Sequence, residues 1–250
     1  MSDLIWLSAA QMARLEPCFP KSHGKPRVDD RRVLSSIVFI NRHGLRWRDA
    51  PREYGPHKTL YNRWKRWSDR GVVARIMAGL AAEHGEETTV LIEATHLKAH
   101  RTASSLGVKK GGRGRLIGRT KGGMNTKLHA VCDSHGRPID LFLTAGPVSD
   151  YIGARALVSG LPDAKGLLGD RGYDADWFRE ALKTRRYVPA SRKKRTTPVR
   201  YDKRRYKRRN RIEIMFGGLK DWRRVATRYD RCPKTFFSAI ARAATVIFWL

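Results

Sequence analysis

A change of hydrophobic pattern at residues 83–89 constrains the fold of this 250-residue chain more than any other feature. Before this segment, apolar residues recur every three or four positions, as on the buried faces of amphipathic helices. After it, short β-branched and apolar runs alternate with further helical segments. The pattern predicts a helical region over 1–84 and a mixed sheet with flanking helices over 88–250, which together make an α/β (α+β) chain.

The second region carries signals for five strands and for the helices between them. Strands are predicted at 88–92, 127–132, 139–144, 166–169 and 187–189. A turn that begins at Asp133 joins the second strand to the third. Ser149 or Asp150 is placed to cap the helix after the third strand, and Asp174 to cap the helix after the fourth. The order of elements is that of a ribonuclease-H-like fold. Basic insertions interrupt it at about 97–126 and 190–205.

The first region predicts four short helices. Ser8 is placed to cap the first of them, Asp29 or Asp30 caps the second, and Gly44 ends the second. The third helix begins near Thr59 and the fourth covers 72–80.

The third helix has an apolar face, formed by Leu60, Trp64 and Trp67, and a basic face. Short helices with a basic third member are typical of a helix-turn-helix, whose second element enters the major groove of DNA. We therefore predict an N-terminal helix-turn-helix-like domain whose basic face contacts DNA. A helical cap with a solvated basic face is the alternative. The cations concerned are Arg63, Lys65 and Arg66.

The charge of the chain is strongly one-sided. Lysine and arginine number 52, against 23 aspartates and glutamates, so the formal net charge is +29. Such an excess opposes compaction unless a polyanion offsets it, and nucleic acid is the obvious polyanion. An RNA-binding protein of the ribosomal kind and a merely basic surface stay open as alternatives.

The cysteines and the chain termini favour a reducing, cytoplasmic setting. Cys18, Cys132 and Cys232 are far apart and odd in number, which predicts neither a disulfide framework nor a zinc site. The N-terminus lacks a charged-then-apolar signal sequence, and the apolar residues 243–250 are too few to span a bilayer. No membrane association is predicted.

The segment 206–224 can be tested by helical geometry. At about 100° per residue, five polar residues fall within roughly a 60° arc: Tyr206, Arg209, Glu213, Lys220 and Arg224. A helix can therefore pack its apolar side on the sheet and hold Glu213 among cations, where a carboxylate stays ionised, as a metal ligand must. A kink is expected at residues 217–218, which are both glycine. An ordinary amphipathic helix with an intrahelical Arg209–Glu213 pair is the alternative.

Three segments of the chain resemble the DDE transposases of the insertion-sequence four and five groups. Tyr206, Arg209, Glu213 and Lys220 match the family spacing Tyr-x2-Arg-x3-Glu-x6-Lys at every position. Residues 168–174, Leu-Gly-Asp-Arg-Gly-Tyr-Asp, are similar to the segment of the second catalytic Asp, which is Asp170 here. Residues 93–96, Glu-Ala-Thr-His, stand in the place of the first. Segments 117–123 and 224–230 and the N-terminal helices are also similar, so the resemblance covers nearly the whole chain and points to the insertion-sequence five (IS4/IS5-like) family.

The resemblance implies a transposase that binds the terminal inverted repeats of an insertion sequence, cuts DNA at the ends of the element and joins the 3′-ends to target DNA. It implies that Glu93, Asp170 and Glu213 are catalytic and hold two Mg²⁺ (or Mn²⁺) ions about 4 Å apart. It implies that a second group contacts the DNA near the metals, namely Arg209, Lys220, Tyr206 and, beside them, Arg224. Double-stranded DNA is the expected partner, a homodimer is expected because two ends must meet, and the bacterial nucleoid is the expected location.

Position 93 departs from the family pattern, which has Asp where this chain has Glu93. The extra methylene moves the carboxylate by roughly 1.5 Å. Mg²⁺ demands near-ideal octahedral geometry, and in-line displacement is sensitive to a misplacement of about 1 Å. We therefore hypothesise that Glu93 reduces or abolishes strand transfer and leaves DNA binding intact. If this hypothesis holds, the chain is a catalytically impaired, transposase-derived DNA-binding protein. The alternative is an active transposase whose backbone compensates for the longer side chain. The carboxylates argue against a structural RNA-binding protein.

Overall fold

The computed structural model describes residues 3–20, 29–83, 89–105, 114–158, 160–161, 164, 166–182, 186–187 and 202–250. Within them, seven strands form one mixed sheet: β1 (Thr89–Ala99), β2 (Gly118–Thr120), β3 (Gly123–Cys132), β4 (Pro138–Ala145), β5 (Gly166–Gly169), β6 (Arg186–Tyr187) and β7 (Thr227–Arg228). β4, β3 and β1 form an antiparallel meander, and β5 and β6 continue from β1 in parallel. This order is that of the predicted ribonuclease-H-like fold.

Two strands are longer than their sequence pattern predicts. β1 runs to Ala99, past the polar residues that follow Ile92, and β3 already begins at Gly123. The reason is mutual pairing, since the antiparallel ladder extends from Leu91 opposite Cys132 to Lys98 opposite Asn125. The insertion predicted at about 97–126 is therefore too wide, because both of its ends belong to the sheet. The middle of this insertion, 106–113, lies outside the described residues. So do residues 188–201, which include the end of the predicted last strand and most of the second predicted insertion.

The helices are α1 (Ala9–Leu15), α2 (Asp30–His43), α3 (His57–Asp69), α4 (Val72–Ala82), α5 (Arg101–Ser104), α6 (Asp150–Val158), α7 (Asp176–Ala181), α8 (Lys203–Lys207), α9 (Asn210–Lys220), α10 (Arg223–Ala226) and α11 (Pro233–Ala244). A π-helical turn, Thr245–Trp249, follows α11. The predicted caps of the first helices are confirmed: Ser8 forms a capping box with Gln11, and Asp29 accepts from the Arg31 N–H. Gly44 ends α2 with a φ of 72°, a left-handed conformation that glycine adopts without strain. Among the described helices, none is long and apolar enough to cross a membrane.

The single helix predicted over 206–224 is wrong, because the chain forms α8, α9 and α10 there. The breaks fall at 208–209 and 221–222, while Gly217 and Gly218 lie unbroken inside α9. At the second break Trp222 leaves the helical conformation, with φ −82° and ψ 110°, and its side chain is 5% exposed.

The helix predicted to begin at Asp174 also starts later. Asp170 caps a 3-10 turn at Arg171–Tyr173, and α7 begins only at Asp176. Asp174 is buried and forms an ion pair with Arg179 instead of capping the helix. The residue at the N-cap of α7 is Ala175, which has an extended backbone and makes no side-chain cap hydrogen bond.

The sheet separates two cores. The first core joins one sheet face to α9–α11 and to the N-terminal helices, with Leu91, Leu168 and Ile240 among its members. The second core joins the opposite face, through Val90 and Ile92, to α6 and α7. The junction of the two predicted domains, 84–88, lies outside the described residues, and the division at that point stays a prediction.

Candidate active site

Glu93 and Asp170 are neighbours at one edge of the sheet. In the parallel ladder of β1 and β5 the last pair is Ile92 with Gly169, and each acidic residue directly follows its member of that pair. The carboxyl ends of adjacent parallel strands are where open α/β sheets place their ligands. The topology therefore brings together two carboxylates that are 77 positions apart in the sequence, 170 − 93 = 77.

The Glu93 carboxylate is partly buried and has two partners. Its side chain is 13% exposed, Oε1 accepts a hydrogen bond from the Ala94 N–H at 2.9 Å, and Oε2 accepts one from Arg209 at 2.5 Å. Burial and the nearby charge of Asp170 raise the pKa of Glu93 to about 7, against the opposing effects of the Ala94 N–H and Arg209.

Asp170 is fixed by the turn that it caps. Its Oδ1 accepts from the Gly172 N–H at 2.6 Å, and burial raises its pKa while this bond lowers it. A Cβ at position 172 would lie 2.7 Å from Asp170 Oδ1 and 3.3 Å from Asp150 Oδ2. Gly172 therefore leaves room for two carboxylates to converge.

Asp150 adds a further acid next to Asp170, and it is paired with Lys127. The Lys127 ammonium, on a side chain that is 9% exposed, donates to Asp150 Oδ1 at 2.9 Å and to the Val148 carbonyl at 2.6 Å. The sequence predicted Asp150 only as a possible helix cap, and it did not point to Lys127. The signal for Lys127 is a lysine inside an otherwise buried strand, since residues 125–132 are all buried.

Arg209 bridges Glu213 to Glu93. Its guanidinium donates to Glu213 Oε1 at 2.6 Å and to Glu93 Oε2 at 2.5 Å, and it lies 5.5 Å from the ring centre of Tyr206. The Arg209 side chain is 18% exposed and that of Glu213 is 50% exposed. The intrahelical pair that the spacing predicted is present, and the tertiary pair with Glu93 comes in addition.

Lys220 also approaches this edge, but Arg224 does not. The Lys220 ammonium donates to Thr95 Oγ1 at 2.7 Å, and burial lowers the pKa of Lys220. Arg224 is 7% exposed, donates to the Leu45 carbonyl at 3.1 Å and lies 3.6 Å from Asp230. The chain break before α10 rotates Arg224 off the arc that a continuous helix would have given it. There it ties α10 to the N-terminal helices.

The three predicted cations of α3 have different surroundings. Arg63 forms an ion pair with Asp30 and lies over the Trp67 ring. Lys65 pairs with Asp69 at 2.5 Å, and Arg66 is exposed. Exposed ion pairs of this kind contribute little to stability, so the lysine is free to exchange partners.

The carboxylates fit a divalent cation by their chemistry. Glu93, Asp170 and Glu213 offer oxygen donors of the type that Mg²⁺ and Mn²⁺ prefer, and the mutual repulsion of Glu93 and Asp170 is what a cation would relieve. Among the residues that the structure describes, however, no three acidic, imidazole or thiol groups stand close enough to hold one ion. Arg209 occupies the space between two of the carboxylates.

Family models match almost the whole chain. Residues 84–248 match the model described as a transposase DDE domain, and residues 7–77 match one described for transposases of the IS4/5 family. The first of these alone spans more than half of the chain.

Individual proteins give the same result. The chain is similar to a Brucella ovis protein named as a transposase for insertion sequence element IS6501, with 36% identity over 51% of this chain and 99% of that protein. It is also similar to a Burkholderia cepacia protein named as a transposase for IS402, with 29% identity over 54% of this chain and 72% of that protein. Among solved structures, the piggyBac transposase synaptic complex with hairpin DNA matches with a TM-score of 0.52 and 10% identity, over 94% of this chain and 68% of that chain. At this identity the match shows the fold alone.

Proposed function

Since the chain belongs to the IS4/IS5 family of DDE transposases, we propose that it binds the terminal inverted repeats of its insertion sequence and catalyses metal-dependent cleavage and strand transfer of DNA. The observation that carries the proposal is the adjacency of Glu93 and Asp170 at the carboxyl ends of β1 and β5, with Glu213 joined to them through Arg209.

The three carboxylates would hold two divalent cations, Mg²⁺ or Mn²⁺. Such ions, when bound, activate a water or a DNA 3′-hydroxyl and stabilise the leaving oxygen. Asp170, fixed by the Gly172 N–H, and Glu93, on the rigid sheet, supply the least mobile ligands. Glu213, half exposed at the start of α9, closes the set from the solvent side.

Cations around the carboxylates would hold the DNA. Arg209 and Lys220 lie at the mouth of the site with partners that a phosphate can replace, and Tyr206 offers a ring for stacking. The net charge of +29 supplies the long-range attraction to a double-stranded duplex. We further propose that Arg63, Lys65 and Arg66 contact the terminal repeats, that the protein acts as a homodimer because two ends must meet, and that it works at the bacterial nucleoid in the cytoplasm.

A second candidate function is DNA binding with impaired catalysis. The observation in its favour is that both oxygens of Glu93 are engaged within the protein, one by Ala94 and one by Arg209. These two hydrogen bonds compete with a metal ion for the Glu93 carboxylate.

Cleavage of DNA that carries the two flanks of the gene tests the proposal. Nicks at the element ends are expected with Mg²⁺ or Mn²⁺ and not with EDTA, and Asp170→Asn and Glu213→Gln should abolish them while DNA retention in a gel-shift assay persists. Retention without nicking by the wild type, together with nicking by Glu93→Asp, would favour the second candidate. Metal-dependent nicking by Asp170→Asn at the wild-type rate would contradict the catalytic assignment.

A further inference from the structure

Arg209 takes the place of a cation in the acidic site. One guanidinium nitrogen donates to Glu93 Oε2 at 2.5 Å and the other to Glu213 Oε1 at 2.6 Å, so a single planar cation spans two acidic side chains that are 120 positions apart in the sequence, 213 − 93 = 120. Each of these contacts is a charge-assisted hydrogen bond, roughly twice as strong as one between neutral groups. In this arrangement Arg209 holds the first and third carboxylates in register.

The same arrangement competes with a divalent cation. A metal ion placed between Glu93 and Glu213 would compete with Arg209 for Glu93 Oε2 and Glu213 Oε1, which accept from the guanidinium. The guanidinium is also a fixed positive charge next to the site, and at short range in a partly buried position this charge repels a cation. Glu93 cannot turn freely, since its other oxygen is bound to the Ala94 N–H.

Arg209 has an alternative partner within reach of its position. It lies between α8 and α9, its side chain is 18% exposed, and Lys220 stands on the same side of the site. A DNA phosphate at this mouth would be a strong, charge-assisted acceptor for a guanidinium. A phosphate therefore competes with the carboxylates for Arg209 and frees them at the same time.

We propose that Arg209 is a positioning residue that stands in for the divalent cation in the DNA-free protein and is exchanged for it when a DNA phosphate draws the guanidinium away. The proposal rests on the proposed function, because it takes Glu93, Asp170 and Glu213 as the metal ligands. The exchange couples metal binding to DNA binding. Bound DNA raises the affinity for the metal ion, and the bound metal ion raises the affinity for DNA by the same factor, as linkage requires. The chain thereby limits metal loading, and cleavage, to the DNA complex.

Titration of the full-length protein with Mn²⁺, followed by the electron paramagnetic resonance signal of the free ion, tests this without any measurement of cleavage. In the absence of DNA, Arg209→Gln should bind Mn²⁺ at least about fivefold more tightly than the wild type, the low end of ordinary coupling between sites. Arg208→Gln is the matched control, since it removes the same charge from an exposed neighbour, and it should stay within about twofold of the wild type. A duplex with the gene's flanking end should tighten Mn²⁺ binding to the wild type, and this gain should be lost in Arg209→Gln.

Equal or weaker Mn²⁺ binding by Arg209→Gln in the absence of DNA overturns the exchange. Circular dichroism verifies folding. Should Arg209→Gln be unfolded, Arg209→Lys carries the same test with a smaller expected gain, because the lysine keeps the positive charge but offers one nitrogen in place of the two that contact Glu93 and Glu213. Asp170→Asn distinguishes a failure of the proposed function from a failure of the Arg209 exchange alone. If it leaves Mn²⁺ binding unchanged in every background, the metal ligands and the proposed function fail. If it abolishes binding while Arg209→Gln shows no gain, only the exchange fails.

Discussion

At the scale of single residues, the extra methylene of Glu93 decides how its carboxylate is used. The longer side chain lets one oxygen accept from the backbone N–H of Ala94 while the other reaches Arg209 at 2.5 Å. An aspartate at this position is shorter by roughly 1.5 Å and cannot maintain the contact with Arg209 in the same backbone. Its carboxylate would stand closer to the sheet edge, beside Asp170.

We therefore predict that Glu93→Asp raises metal-dependent cleavage and strand transfer on DNA with the gene's flanks. The gain should be about tenfold to a hundredfold, since misplacement of a catalytic group by about 1 Å can cost that much. Rates are measured with Mg²⁺ at saturating DNA, and retention of DNA should be equal in both forms. Equal cleavage rates in both forms would show that the backbone already compensates for the longer side chain.

The buried His129 makes stability depend on pH in a definite direction. Burial lowers its pKa to about 4 from 6.5, and Lys127 and His96 act in the same sense while Asp150 opposes them. In the unfolded chain the imidazole gains its proton below pH 6.5, whereas in the folded protein it stays neutral until about pH 4. The unfolded state binds more protons in this window, so the free energy of unfolding falls as the pH falls from 6.5 to 4.

The expected contribution of His129 to this fall is at most about 3 kcal/mol. Urea unfolding of the wild type and of His129→Phe at several pH values measures it. Phenylalanine keeps the ring that stacks on Phe142, and Thr144, which loses a hydrogen bond, is partly exposed to water. The variant should show a shallower slope over the window. An identical slope would mean that His129 takes up its proton in the folded protein at the same pH as in the unfolded chain.

The sequence could predict those contacts of the site that join residues close to each other in the chain. The Arg209–Glu213 pair needs one turn of helix, and the place of Asp170 needs only the end of a short apolar strand, so both could be read from spacing. The Arg209–Glu93 pair joins residues that only the packing of α9 on β1 brings together. No local pattern contains that information.

At the scale of elements, the glycines of α6 and α9 have opposite roles. Gly217 lies exposed inside α9, and a Cβ there would meet nothing within 4 Å. Gly153 lies buried in α6, and a Cβ there would be 2.2 Å from His129 Nδ1. The first glycine only adds flexibility to the unfolded chain, whereas the second makes room for the His129 ring.

We predict that Gly217→Ala raises the free energy of unfolding by about 0.5 to 1 kcal/mol. Gly153→Ala should lower it by about 1 to 3 kcal/mol, because overpacking forces the imidazole or the helix to move. Thermal unfolding monitored by circular dichroism measures both. Destabilisation by Gly217→Ala would contradict the open space that surrounds position 217.

The helix boundaries that the sequence predicted are those set by residues close in the chain. The caps at Ser8 and Asp29 and the end at Gly44 involve neighbouring residues, and the sequence predicted all three. Where 203–226 divides into three helices, Trp222 is buried and Arg224 contacts Leu45 and Asp230. Helical periodicity cannot register such contacts, because they come from distant parts of the chain.

At the scale of the whole molecule, the N-terminal helices share their core with the catalytic sheet. Leu60 and Trp64 of α3 belong to the same cluster of buried side chains as Ile240 of α11 and Leu141 of β4. Arg242 of α11 lies over the Trp64 ring, with its guanidinium carbon 5.2 Å from the ring centre. The two family models divide the chain between residues 77 and 84, yet the packing is continuous across that division. Folding is therefore expected to be cooperative over both regions.

Leu60→Ala tests this cooperativity, because Leu60 is fully buried and lies in α3, outside the matched DDE domain. Removing three carbons from this site should cost about 2 to 5 kcal/mol. If both regions unfold together, amide hydrogen exchange in α11 and β4 should accelerate by the same factor as exchange in α3. Lys58→Ala, an exposed change in the same helix, should leave all three elements unaffected. Faster exchange confined to 29–83 would show that the N-terminal helices open alone, and the shared core would then be an interface between two separately folding units.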